Sequence, residues 1–199
     1  MNTNKKYQVV YADPPWTYSK GSFVLSVNGY NNTTLQKKKS KEEELVNHYP
    51  TMSVQEMMEL PVSDVADKDC VLFMWTTDSH LPYALEIIKS WGFTYKTVGF
   101  VWNKTREDGG DYAMMGPWTM KQSEICLLAT KGSPYKFRED RTVRSMVHSQ
   151  KTKHSAKPQE VADRIVRMFP DCNRIELFAR DAKPGWDVWG NEIQNTIEL

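Results

Sequence analysis

The sequence predicts an α/β protein built on an open, mostly parallel, doubly wound sheet with helices on both faces. Three observations carry that expectation: apolar runs of strand length recur, helical patterns lie between several of them, and two long irregular segments follow strand ends. The alternation of strand and helix is what a doubly wound sheet requires.

The strand-length runs are YQVVYA (7–12), CVLFMWT (70–76), TVGFVWN (97–103), EICLLAT (124–130) and RIELFA (174–179). They are continuous rather than alternating, the pattern of strands covered on both faces, as in a parallel sheet. The segment SVQEMMEL opens with a capping box from Ser53 to Glu56, a helix-start signal. In HLPYALEIIKSWG, apolar residues recur at Leu81, Leu85, Ile88 and Trp91 before a Gly92 stop. The third helix, KPQEVADRIVRMFP, has Pro158 in its first turn, spaces Val161, Ile165 and Phe169 by four, and ends at Pro170.

Residues 17–48 and 104–122 fit neither pattern. Loops of that length inside a compact domain are characteristically functional or disordered. Both follow strand ends, the edge of an open α/β sheet where ligands bind. There is no internal repeat and no second-domain boundary, so residues 1–199 are expected to form one domain carrying an insertion at 17–47.

Composition agrees. A chain of 199 residues, 40% hydrophobic and 26% charged, suits a single soluble domain. No apolar run approaches the roughly 20 residues that span a bilayer, and MNTNKKYQVV contains no signal-peptide core, so a cytoplasmic location is expected. Cys70, Cys126 and Cys172 are odd in number, widely spaced and beside apolar runs, which reads as buried thiols rather than a disulfide framework or a zinc site. A net charge of +1 excludes coating of nucleic acid by bulk electrostatics. Charge is nevertheless clustered in QKKKSK (36–41), 131–144 and 151–157. Taken alone, the first run reads first as a solvated lysine face.

The stretch Tyr11-Ala12-Asp13-Pro14-Pro15-Trp16 closes the first strand. Two prolines supply no N–H and hold φ near −65°, so the ladder ends in a stiff turn that still offers carbonyl acceptors. Alone, this is ordinary strand-ending punctuation with Trp16 as core. Four further blocks follow it in order: HYPTMSVQEM (48–57), LFMWTT…WGF…VWNKT (72–105), GPWTMKQSEICLLATKGSP (116–134) and HSAKPQE…RIELFAR…GWDVWGNEI (154–193).

With these blocks the chain resembles the amino-methyltransferases that alkylate exocyclic nitrogens of nucleobases from S-adenosylmethionine. Within them it is most similar to the DPPW-type, permuted, β-class-like adenine-N6 family, which includes the catalytic subunit of the eukaryotic messenger-RNA adenosine methyltransferase along with bacterial and phage members. The resemblance covers the chain apart from 17–47 and part of 135–153. It implies a single-domain Rossmann-like methyltransferase fold with circularly permuted motif order, the catalytic motif first and RIELFAR last. The implied activity is methyl transfer to adenine N6, in DNA by preference and in RNA as the alternative. A catalytically silent binding partner and a cytosine-N4 enzyme are the remaining alternatives. The implied partner is nucleic acid, with no membrane, acting as a monomer or homodimer.

An adenine amino group is a poor nucleophile because its lone pair is delocalised into the ring. The resemblance gives Asp13, Pro14, Pro15 and Trp16 the catalytic role. The Asp13 carboxylate and the Pro14 carbonyl would each accept one amine hydrogen and localise the lone pair, and a rigid turn preorganises both. Trp16 and Tyr49 would stack on the target base, which in a duplex must be flipped out. Asp13, Lys157, Arg180, Asn191 and Glu192 would face the cofactor, Lys157 pairing with its carboxylate and Asn191 and Glu192 taking ribose hydroxyls. Lys37, Lys38, Lys39 and Lys41, in an insertion expected to be mobile until nucleic acid orders it, would contact phosphates. No metal is implied, and His80, His148 and His154 are expected to be structural. The chain departs from the family pattern in three ways: only a short tail precedes YQVV, the loop from Arg180 to Gly190 is shorter than in the eukaryotic enzymes, and 17–47 has no counterpart.

Overall fold

The computed structural model describes residues 5–16, 52–116, 118–151 and 156–199. The insertion at 17–47 with Lys37, Lys38, Lys39 and Lys41, and Tyr49 and His154, lie outside the described residues.

The elements are β1 (Tyr7–Ala12), α1 (Val54–Glu59), α2 (Val62–Val65), β2 (Ala66–Thr76), α3 (Leu81–Ser90), β3 (Thr94–Thr105), β4 (Ser123–Lys131), β5 (Met146–Gln150), α4 (Gln159–Met168), β6 (Arg174–Leu177) and β7 (Asp187–Trp189). The strands form one seven-stranded sheet in the order β5-β3-β4-β2-β1-β6-β7. Among the described residues, β1, β2, β3, β5, β6 and β7 run one way and β4 runs against its neighbours β2 and β3.

Each side chain of a strand points to the opposite face from the last, and here both faces are buried. On one face, Val10, Leu72, Met74 and Leu127 pack with Met57, Ala84, Ile87, Ile88 and Trp91 of the α1–α3 side. On the other, Val9, Tyr11, Phe73, Trp75 and Cys126 pack with Val161, Ala162, Ile165 and Met168 of α4. This double burial is why the strands read as continuous apolar runs.

The helices start and stop where local chemistry dictates. The Ser53 hydroxyl accepts from the Glu56 N–H and the Glu56 carboxylate accepts from the Ser53 N–H, completing the capping box. Gly92 ends the α3 turn at φ +80°, a conformation glycine adopts without a Cβ penalty. The buried face of α3 is Ala84, Ile87 and Ile88, continued by Trp91. Leu85, expected on that face, is 38% exposed; the 3.6-residue period rotates it outward.

Several expectations need correction. EICLLAT is an antiparallel strand, not a parallel one. An apolar run reports burial, whereas direction follows from the connection, and the β3–β4 link contains no crossover helix. Of residues 104–122, Lys104 and Thr105 complete β3, while the described residues from 106 to 122 lie outside the strands as expected, tied by the isolated bridges Thr105 to Asp111 and Met114 to Lys121. RIELFA stops as a strand at Leu177, because Phe178 turns to φ +61°. Strands β5 and β7 were not foreseen; each is short and mixed in polarity. Cys70 and Cys126 are buried as expected, while Cys172 is only partly so.

Candidate active site

Because β4 is reversed, its first residues lie at the edge where β1, β2 and β6 end. Thr76 of β2 pairs with Ile125 of β4, and Ala12 of β1 pairs with Met74 and Leu177. Asp13, Thr77, Glu124 and Phe178 therefore converge on one edge from four strands.

Three concavities open there, of about 60, 570 and 30 Å³. Asp13 and Arg180 line all three. The first also takes in Pro14, Pro15, Trp16, Thr76, Thr77, Glu124 and Lys157. The largest extends over Tyr11, Lys157, Glu176, Phe178 and Lys183, and the third reaches Asn191 and Glu192.

The turn after β1 is stiff, as its prolines require. The Trp16 N–H donates to the Pro14 carbonyl at 2.9 Å, closing a three-residue turn around Pro15. The Met52 N–H donates to the Pro15 carbonyl at 3.3 Å. A carbonyl has two lone pairs, so the Pro14 oxygen retains one for a further donor. Trp16 is 7% exposed and stacks against His80, with ring centroids 5.1 Å apart and planes inclined by 23°. His80 itself is buried, and its Nδ1 lies 2.8 Å from the Thr77 hydroxyl.

Lys157 is the electrostatic centre. Its Nζ lies 2.8 Å from Asp13 Oδ2 and 3.3 Å from Glu124 Oε2, and 5.8 Å from the centroid of the Trp75 ring. Lys104 pairs with the other Glu124 oxygen. Two lysines and two carboxylates thus alternate along one chain of contacts. Burial by itself would lower the Lys157 pKa, but Asp13 and Glu124 outweigh it and hold the ammonium above the ordinary lysine value. Burial would raise the Glu124 carboxyl, yet Lys157 and Lys104 hold it below the usual carboxylate value. In the wide cleft the balance goes the other way: burial pushes Glu176 up, and its pairing with Lys183 only partly offsets that.

The segments bearing Arg180, Asn191 and Glu192 are clasped together. The Ala179 N–H donates to the Trp189 carbonyl at 3.0 Å, and the Phe178 and Trp189 rings meet edge to face at 5.5 Å. A Cβ on Gly190 would lie 2.2 Å from the Ala179 carbonyl oxygen, so only glycine permits this approach. Arg180 Nε lies 3.8 Å from Glu192 Oε1.

Asp13, Pro14, Pro15, Trp16, Lys157, Arg180, Asn191 and Glu192 thus all gather at one sheet edge. Sequence reasoning missed Glu124 and Lys104. Both signals exist in the chain, a carboxylate heading an apolar run and a lysine closing one. They become readable only once β3 and β4 are known to pair, with Trp102 opposite Glu124.

The wide cleft falls within the 300–1,000 Å³ usual for small-molecule sites. Its acidic and basic groups with an aromatic wall suit a zwitterionic amino acid joined to a nucleoside, the make-up of S-adenosylmethionine. Among the described residues no cluster of metal-ligand type is present, and no helix is long and apolar enough to cross a membrane.

The family profile described as MT-A70 matches residues 7–192. The chain is 39% identical over 202 aligned positions to the Type II methyltransferase M.MunI of a Mycoplasma species, covering 98% of this chain and 82% of that protein. It is 27% identical over 192 positions to the N(6)-adenosine-methyltransferase catalytic subunit METTL3 of Homo sapiens, covering 94% of this chain but 28% of that protein. Over 156 positions it is 31% identical to the N(6)-adenosine-methyltransferase MT-A70-like protein of Arabidopsis thaliana, across 76% of this chain and 22% of that one.

Proposed function

The chain belongs to the MT-A70 family of methyltransferases, and from that premise we propose that it transfers the methyl group of S-adenosylmethionine to the N6 amino group of adenine in DNA. The observation that carries this reading is Asp13, a carboxylate fixed by a proline turn at the meeting point of a small pocket and a wide cleft. DNA is the favoured substrate because the likeness to M.MunI extends over most of both chains. The RNA reading rests on the METTL3 likeness, which spans under a third of that protein.

When bound, S-adenosylmethionine supplies an electrophilic methyl group. The target adenine enters the small pocket beside Trp16 and Thr77. Asp13 Oδ2 is engaged by Lys157, leaving Oδ1 to accept one amine hydrogen while the Pro14 carbonyl accepts the other. The nitrogen lone pair is then localised and aimed at the cleft. As the nitrogen takes the methyl and gains positive charge, the sulfur keeps the electron pair of the broken S–C bond and leaves as a neutral thioether. The Asp13 carboxylate stabilises the charge at short range in a partly desolvated site until one N6 proton is lost to solvent. A lone ammonium beside Asp13 would weaken that effect, and Glu124, sharing the same ammonium at 3.3 Å, offsets it. Arg180, Asn191 and Glu192 at the clasped segments hold the nucleoside end of the cofactor, and Lys157 at the head of α4 attracts its carboxylate.

Incubating the protein with labelled S-adenosylmethionine and separate pools of duplex DNA, single-stranded DNA and RNA, followed by nucleoside analysis, tests the reading. N6-methyldeoxyadenosine from duplex DNA is the expected product. Label confined to RNA, label on cytosine, or no transfer would overturn it.

A further inference from the structure

The arm between β3 and β4 ends in a short tip closed by a backbone pair. Met114 and Lys121 exchange both backbone hydrogen bonds at 2.7 Å, enclosing residues 115–120. A Cβ on Gly116 would lie 2.5 Å from the Thr119 carbonyl oxygen, so these two residues approach closely. The arm is also fastened to its surroundings. Lys121 Nζ meets Asp78 Oδ2 at 2.7 Å, Lys151 Nζ reaches the Tyr112 hydroxyl at 3.1 Å, and the Gln122 amide donates to Asn103 at 2.8 Å.

On this anchored tip the apolar side chains face water. Met115 is 86%, Trp118 83% and Met120 60% exposed. Single exposed apolar residues are ordinary, but three large ones within six residues form a patch that calls for an occupant. Asp78, which ties down the arm, directly follows Thr76 and Thr77, two walls of the pocket that also contains Asp13 and Trp16. Lys121 at the tip's base thus reaches the segment that continues from the pocket wall.

We propose that this tip is a wedge for duplex DNA, with Trp118 entering the gap left in the base stack when the target adenine swings into the pocket. The inference rests on the DNA reading of the site. A strand whose base occupies the pocket would pass beside the segment to which the tip is tied, and its vacated step offers two bare base faces. An indole covers such faces better than any other side chain, and apolar wedges between base steps are a known means of holding a kinked or flipped duplex. The size of the patch also favours this occupant. A stable protein interface needs about 800 Å² per partner, whereas one indole flanked by two thioethers matches a single base step. Lys121, at the tip's base, is paired with Asp78, and the exposed side chains beyond it are apolar, so the tip is suited to the base stack.

The test uses the full chain and a duplex of about 30 base pairs carrying the site that the wild-type protein methylates in plasmid DNA, located by modification-sensitive sequencing. One version is fully paired, and a second places the target adenine opposite an abasic position. Trp118→Ala is expected to lose roughly tenfold or more of the wild-type rate on the paired duplex and at least fivefold less on the premelted one. Trp118→Phe should recover part of the loss. With 2-aminopurine at the target, the fluorescence gain on binding should fall in Trp118→Ala. Equal losses on the two duplexes, or no loss, would overturn the wedge. So would a change in sedimentation coefficient with an unaltered paired-to-premelted ratio, which would assign the patch to a second copy of the chain. A wild-type protein that methylates no DNA would refute the substrate reading itself, and that outcome is read from the wild-type reactions alone.

Discussion

Lys157 and Asp13, 144 positions apart in the chain, meet at 2.8 Å and join the end of the first strand to the approach to α4. The pairing makes Asp13 a held carboxylate rather than a mobile one. Replacing it by Asn keeps the shape and removes the charge. Methyl transfer by Asp13→Asn should fall by about two orders of magnitude or more, the scale for losing a preorganised electrostatic group. Single-turnover kinetics at saturating cofactor would show this, and near-normal turnover would remove Asp13 from the mechanism.

The same cluster predicts how stability responds to pH. Glu124 titrates below its usual range when folded, so its contribution is complete above the ordinary carboxylate value and is lost as pH falls through the folded one. Lys157 titrates above 10.5, so its contribution is complete below that value and is lost as pH rises through the higher folded one. Urea unfolding across pH should therefore show a shallower acid limb in Glu124→Gln and a shallower alkaline limb in Lys157→Met. At neutral pH Lys157→Met should cost at least about 2 kcal/mol, less than the roughly 3–5 kcal/mol for a fully buried pair, since Asp13 keeps some contact with water.

Lys157 should also matter to the cofactor. Calorimetry on Lys157→Ala is expected to show S-adenosylmethionine affinity weakened by about 1.5–3 kcal/mol, the range for a hydrogen bond to a charged group. Unchanged affinity would confine Lys157 to holding Asp13 and Glu124.

At Gly190 the expected effect is steric. Gly190→Ala places a methyl group 2.2 Å from the Ala179 carbonyl oxygen, and overpacking of this kind costs about 1–3 kcal/mol. Thermal unfolding should report that loss, accompanied by weaker cofactor binding because Arg180 shifts with its neighbour.

The lysines of the insertion give a prediction of a different kind. Replacing Lys37, Lys38, Lys39 and Lys41 together by Ala should weaken nucleic-acid binding on every sequence and flatten its salt dependence, leaving cofactor affinity alone. If binding, salt slope and activity all stay as in the wild type, the run is a solvated face.

The elements legible in the sequence were those whose signal is local. YQVVYA matches β1 end to end, and the Ser53–Glu56 box and Gly92 mark real helix ends. Asp13, Lys157 and Arg180 were singled out by resemblance, and the sheet brings them to one edge. What escaped depended on partners far away in sequence. The direction of β4 is a property of its pairing with β2 and β3. Glu124 becomes a site residue only through that reversal, and β5 and β7 are held mainly by the neighbours they pair with. Leu85 was misplaced by one helical position because three-and-four spacing leaves two adjacent faces open until a sheet chooses between them.

The β3–β4 arm closes on itself beyond the sheet edge, with the Met114–Lys121 pair acting as a latch. Segments on the near side of that latch answer to the register of seven strands, whereas those on the far side answer to nothing but what they touch. Length and composition can therefore drift at residues 115–120 without any strand slipping by a residue. For the same reason, the interval between Met114 and Lys121 is where a foreign loop could be grafted with least disturbance to the fold.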